Sequence, residues 1–176
     1  MASGFGHALA AIGIGRAMLL REKWKLWFLG MCCAVIPDVD FLGYQSGIEY
    51  GSMFGHRGFT HSFFFAFLLA TVVMFAFYRK EQLFSKQWNI LLLYFFLATA
   101  SHPVLDAMTN GGRGVAFFAP FSNERYFFPW RPIEVSPLSI TGFFSERGFT
   151  VLKSEMIWIG IPSLVLCCIP FFIRKK

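Results

Sequence analysis

Apolar positions gather along this chain into five stretches, with no internal repeat and no low-complexity tract. The first, residues 5–20, is rich in Ala and Gly and only weakly hydrophobic, so its small side chains predict a helix packed tightly inside a bundle. The second, WKLWFLGMCCAVIPDVDFLGY over 24–44, has only about a dozen apolar residues before Pro37, whereas a full membrane span needs about 20. That helix either stops short or carries Asp38 and Asp40 into the membrane interface. The third, SFFFAFLLATVVMFAFY over 62–78, has Thr60 placed as its N-cap. The fourth, WNILLLYFFLATASHPVLDAM over 88–108, contains Pro103, which should kink it or end it. The fifth covers 156–173. Residues 109–155 form a long joint rich in Gly, Pro and aromatics, and ordered loops of that length usually carry function.

Composition turns this pattern into a membrane protein. The chain is 56% hydrophobic and 15% charged, against about 25% charged in soluble domains. The expected fold is all-α: one integral membrane domain over 1–176, a bundle of four or five helices with the 109–155 loop capping one end. The start, MASGFGHALA, lacks a positive n-region and a clear cleavage site and is not read as a removable signal. A net charge of +6 does not imply nucleic acid, because the basic residues punctuate the apolar stretches and line no single face. They read as topology signals. Arg16, Arg21, Lys23 and Lys25, then Arg79, Lys80 and Lys86, then Arg174, Lys175 and Lys176 alternate with the spans and can all be cytoplasmic. Cys32-Cys33 and Cys167-Cys168 have no zinc-site spacing and read as small buried residues.

That topology has a chemical consequence. His7 begins the first helix, Asp38 and Asp40 end the second stretch, His56 and His61 precede the third, and His102 and Asp106 close the fourth. All four histidines and all three aspartates of the chain thus fall at one membrane face, the non-cytoplasmic one. His102 and Asp106 are four apart and share a helix face. In HRGFTHS, His56 and His61 can converge only if the Gly-Phe-Thr turn bends back. Carboxylates in a low-dielectric setting need compensation, and a divalent ion supplies it to imidazoles and carboxylates together. Zn²⁺ suits such donors, with Mn²⁺ or Fe²⁺ as alternatives. Seven donors exceed what one zinc takes, so two Zn²⁺ are expected.

GHALA, PDVD, HRGFTHS and SHPVLDAMTNGG, in this order and covering about residues 4–140, resemble the YdjM-like, LexA-regulated inner-membrane proteins, a family described as metal-dependent hydrolases. That family is grouped with zinc-dependent phospholipase C and single-strand nuclease enzymes, which are all-helical and hold zinc through His, Asp and an HxxxD helix. The resemblance implies ligand positions for His7, Asp38 or Asp40, His56, His61, His102 and Asp106. Those enzymes also use a later HxxxE pair; no histidine follows His102 here, and Glu155 is only a weak substitute.

The expected activity is hydrolysis of a phosphoric ester, with Asp38 or Asp40 as ligand and the other as proton acceptor. Arg57, Arg113 and Arg131 are the candidates to neutralise the phosphoryl group. A centre at the interface can take a headgroup while the tails stay in lipid, so the expected substrate is a lipid or lipid-linked phosphate and the expected partner the membrane itself. Two rivals stand beside this reading. A metal transporter or sensor needs polar residues through mid-bilayer, which the apolar stretches lack. A structural His/Asp cluster in a non-enzymatic, partner-binding protein would hold no metal.

Overall fold

The computed structural model describes residues 1–18, 20, 24–137 and 140–173. Of the basic residues counted for topology, Arg21, Lys23, Arg174, Lys175 and Lys176 lie outside the described residues. The protein is all-helical: α1 (Gly4–Ala17), α2 (Trp24–Val35), α3 (Asp40–Gln45), α4 (Phe63–Phe77), α5 (Lys86–Ala107), the single turn α6 (Ile140–Phe143), α7 (Glu146–Glu155) and α8 (Ile161–Ile173). Among the described residues, three continuous segments are long and apolar enough to cross a membrane: Trp24–Gln45, Lys86–Ala107 and Glu146–Pro170. The outward faces of the helices stay apolar, with Phe67, Val72 and Phe75 of α4 and Leu164 and Val165 of α8 exposed, as lipid contact requires.

Small residues set the packing. α1 buries Gly6, Ala10, Ala11 and Gly13 against its neighbours and lies centrally between α2, α5 and α8. The main apolar core joins Leu29 and Cys33 of α2, Ala70 and Met74 of α4, and Leu91, Phe95 and Ala98 of α5. At the α2–α5 crossing, a Cβ on Gly30 would stand 2.0 Å from the hydroxyl of the fully buried Tyr94. Gly30→Ala is therefore expected to overpack this crossing and to cost about 1–3 kcal/mol, read as a lower unfolding temperature in detergent.

Several elements depart from the sequence-based expectation. Pro37 ends α2, but the chain continues through a 3-10 turn, Ile36–Val39, straight into α3. The stretch therefore both stops short as an α-helix and carries its aspartates onward. Pro103 does not end α5, which runs on to Ala107. Ser62, not Thr60, caps α4: its Oγ accepts the Phe65 N–H at 3.0 Å. Thr60 is drawn away because its hydroxyl donates to Asp40 Oδ2 at 2.7 Å. The last ten residues of the expected 109–155 loop are the helix α7, which enters α8 through one π-helical turn, Met156–Gly160. Its ERGFTVLKSE sequence is polar enough to read as loop, yet it buries Val151 and Glu155 on one side and opens the Glu146–Pro170 segment.

The remaining loop folds back on the α5 end that carries His102 and Asp106. Val115 and Tyr126 exchange backbone hydrogen bonds, both 3.0 Å, and Phe128 N–H donates to the Ala107 carbonyl at 3.1 Å. The Phe63 N–H, at the start of α4, donates to Phe117 O at 3.0 Å. At the opposite end of the bundle, Lys25 donates to the carbonyl of Phe77, the last residue of α4, at 2.9 Å. All four cysteines are free.

Candidate metal centre

Three segments deliver four donors to one point. The 3-10 turn after α2 brings Asp38, the turn before α4 brings His61, and the last turns of α5 bring His102 and Asp106. His61 Nε2 lies 3.0 Å from His102 Nε2, 3.5 Å from Asp106 Oδ2 and 3.7 Å from Asp38 Oδ1. His102 Nε2 lies 3.3 Å from Asp38 Oδ1 and 4.0 Å from Asp106 Oδ2. A tetrahedral ion held at about 2.0–2.1 Å keeps its ligands about 3.3–3.4 Å apart. The five separations bracket that value, so the donor set fits zinc in size as well as in chemistry.

The far side of each imidazole fixes which nitrogen faces inward. His102 Nδ1 lies 2.7 Å from the Ala34 carbonyl, which can only accept, so Nδ1 carries a proton and Nε2 offers its lone pair to the centre. His61 Nδ1 lies 3.0 Å from Asp40 Oδ2, a carboxylate that imposes the same arrangement. A hydrogen-bonded outer shell of this kind is the ordinary support of metal-ligating histidines. Among the described residues, Asp38 Oδ1 and Asp106 Oδ2 accept no hydrogen bond although both are buried. Buried carboxylate oxygens that lack hydrogen bonds and face two imidazole Nε2 atoms are what an ion would satisfy.

His61 shows the same demand electrostatically. Burial opposes its charged form, but Asp106, Asp38 and Asp40 outweigh that and raise its pKa well above the usual imidazole value. His61 Nε2 and His102 Nε2 stand 3.0 Å apart, so one of the two must carry a proton when no ion lies between them. A cation entering the centre must displace that proton. Below the raised pKa, protons therefore compete with metal. Apparent affinity is expected to rise about tenfold per pH unit from pH 6 upward and to level off once His61 loses its proton unaided, as metal titration of stripped protein at several pH values would show.

The structure divides the seven donors expected from the sequence. Asp40 is not free to act as a ligand or base: Oδ1 is bonded to His56 Nδ1 at 2.7 Å, and Oδ2 accepts the Arg57 N–H and the Thr60 hydroxyl and faces His61 Nδ1. Asp40 and His56 orient His61 and stay outside the four-donor group. Asp40→Asn is expected to weaken metal affinity about 10–100-fold without abolishing binding, as competition against a chromogenic chelator would report. His7 stacks on His102 with ring centroids 3.7 Å apart, and its Nε2 lies 3.5 Å from Asp106 Oδ1. Neither ring nitrogen of His7 is hydrogen-bonded among the described residues. With Asp106 Oδ1 it offers two donors at the edge of the centre, fewer than a second zinc takes. Glu155 has another task. Both its oxygens bind Ser3, through the backbone N–H and, at 2.5 Å, the hydroxyl, and tie α7 to the start of α1.

Arg57, the first choice for contacting a phosphoryl group, faces no opening. It is fully buried, its Nε lies 3.1 Å from Asp106 Oδ2, and its terminal nitrogens donate to the Gly111 carbonyl and the Thr109 hydroxyl. It holds Asp106 in place. Its backbone is left-handed, φ 63°, a conformation that costs a non-glycine residue about 1–2 kcal/mol. That geometry persists because the Arg57 N–H donates to Asp40 Oδ2 and its carbonyl accepts Ala116 N–H. Gly112, φ 92°, lets the loop approach, since a Cβ there would meet Arg57 Nη1 at 2.6 Å. Arg113 is exposed beside the Tyr50 ring in a cleft of about 750 Å³ shared with Tyr44 and Glu49. Arg131 lies over Phe127 at the surface. Arg125, not singled out from the sequence, binds the carbonyls of His56, Tyr50 and Ser52 and so fixes the loop that carries His56.

A helical bundle with apolar outer faces and four nitrogen and oxygen donors converging at one end defines a membrane protein with a metal-competent centre. Comparison with known families gives the class its name: the chain belongs to the YdjM inner membrane protein family, which it matches over residues 1–176. It is also similar to the inner membrane protein YbcI of Escherichia coli (strain K12), with 36% identity over 147 residues, 81% of this chain and 80% of that relative. No solved structure matches it.

Proposed function

We propose that the protein is a divalent-metal-dependent hydrolase of a lipid or lipid-linked phosphoric ester, working at the membrane interface. The observation that carries this reading is the four-donor centre itself: His61, His102 and Asp106 have side chains with 0% exposure, and Asp38, at 13%, is the one that reaches the surface. Catalytic zinc sites keep three firm ligands and one exchangeable position. His61, His102 and Asp106 would hold the ion, with Asp38 closing the site at rest. When bound, the ion supplies a Lewis acid for a phosphoryl oxygen and acidifies water to near neutrality.

The chain's own residues do the rest. Asp40 and the Ala34 carbonyl keep both imidazoles in the correct tautomer, Arg57 fixes Asp106, and Asp38 at the mouth accepts the proton of the attacking water. Arg113 is the exposed guanidinium proposed to meet the phosphate. Lys25, Arg79, Lys80 and Lys86 gather where α2 and α5 begin and α4 ends, away from the donors, which supports a centre on the non-cytoplasmic side.

A second reading is favoured by one observation: four protein donors can also close a structural site. Asp38→Asn separates the two. The hydrolase reading expects the variant to keep its ion and lose turnover. The structural reading expects a loss of thermal stability with no turnover in either protein. The direct test is detergent-purified, metal-quantified protein presented with phospholipids and isoprenoid phosphates. Release of headgroup or phosphate, abolished by chelator and restored by zinc, is expected; turnover of soluble esters with every lipid intact would contradict the proposal.

A further inference from the structure

The only surface-reaching donor opens onto hydrocarbon. A groove of about 650 Å³ runs along α2 and α3, lined by Phe28, Met31, Val35, Val39 and Leu42 among others, and among the described residues Asp38 is its one charged lining residue. Phe28, Val39 and Leu42 are more than half exposed there. The groove lies on the Trp24–Gln45 span, so lipid and not water is what reaches it. The ten residue steps from Phe28 to Asp38 rise roughly 15 Å, the scale of an extended chain segment and not of a headgroup.

Two features make this more than ordinary lipid-facing surface. The groove is continuous with the mouth of the donor cluster, since Asp38 Oδ1 faces both inward-pointing Nε2 atoms at 3.3 and 3.7 Å. A carboxylate bordering hydrocarbon is also costly unless a charge or a function is spent on it. An anionic phosphate would be repelled by Asp38 alone and drawn to it once a cation sits between them.

We infer that the groove is the chain subsite of the substrate: one hydrocarbon chain of an amphiphilic phosphate ester lies along α2 from Phe28 to Val39, and the phosphate ends at Asp38. This rests on the hydrolase reading and adds its specificity element, a hydrocarbon chain held by the protein and not only by the bilayer.

The test is photo-crosslinking of full-length, zinc-loaded protein in nanodiscs with hexadecyl phosphate carrying a mid-chain diazirine. Adducts are expected to concentrate on Phe28, Met31, Val35 and Val39. Val35→Trp and, separately, Val39→Trp should each lower them severalfold, while Phe67→Trp on the lipid face of α4 should leave them unchanged. Adducts spread evenly over α2, α4 and α8, or equal groove labelling by a diazirine hexadecane without phosphate, would overturn the inference. Labelling confined to the groove with no phosphate release keeps the groove and retires the hydrolase. Phosphate release with scattered adducts retires the groove and keeps the hydrolase.

Discussion

Changing His102 to asparagine is expected to strip the metal from the purified protein without unfolding it. His102 has two jobs that the substitution separates. Its Nδ1–H bonds the Ala34 carbonyl at 2.7 Å and ties α5 to the end of α2. Its Nε2 faces His61, Asp38 and Asp106. An asparagine amide can replace the first and not the second. Asp38, His61 and Asp106 would remain, but with one imidazole fewer and the His7 ring left without its stacking partner. Metal per chain, measured by elemental analysis, should fall to background while the unfolding temperature stays near that of metal-stripped wild type. His102→Ala should lose the ion and also the helix tie, because the Ala34 carbonyl would then be buried without a donor.

Arg57→Met is expected to destabilise the protein by about 3–5 kcal/mol, because it removes the guanidinium facing the buried Asp106 carboxylate and leaves that charge to the Ala2 N–H and the neighbouring imidazoles. Both side chains have 0% exposure and approach to 3.1 Å. The substitution also removes the donors to the Gly111 carbonyl and the Thr109 hydroxyl, so the loop over the centre loses its anchor. Arg57→Lys restores a charge but not the fork that reaches three groups at once, so only partial recovery is expected. Asp106→Asn in the Arg57→Met background should recover part of the loss, since it removes the charge that Arg57 no longer offsets. Thermal unfolding of the single and double variants measures the coupling; additive effects would contradict the pairing.

These outcomes turn on distinctions that the sequence holds only in part. The all-helical class, the membrane setting and the segments bearing chemistry can be read from apolar run lengths and from the positions of His and Asp at their ends. Asp38 and Asp40 cannot be told apart that way. They are two residues apart around a 3-10 turn, and only the tertiary placement of Thr60, His56 and the Arg57 backbone makes one an orienter and leaves the other open. Arg57 looks like a substrate ligand because it stands between two histidines; its left-handed backbone turns it inward instead. Arg125 carries no local signal, since its partners are carbonyls more than sixty residues away. The helix α7 escapes because its burial is one-sided and its ends are polar.

The central claim is that His61, His102, Asp38 and Asp106 clasp one divalent cation. Zinc-edge X-ray absorption on detergent-purified, zinc-loaded protein tests it most directly. The account predicts a first shell of four nitrogen and oxygen atoms at about 2.0–2.1 Å, with the outer-ring scattering of two imidazoles and no sulfur. A spectrum with a sulfur shell near 2.3 Å, or a protein that takes up no zinc at neutral pH, would contradict it.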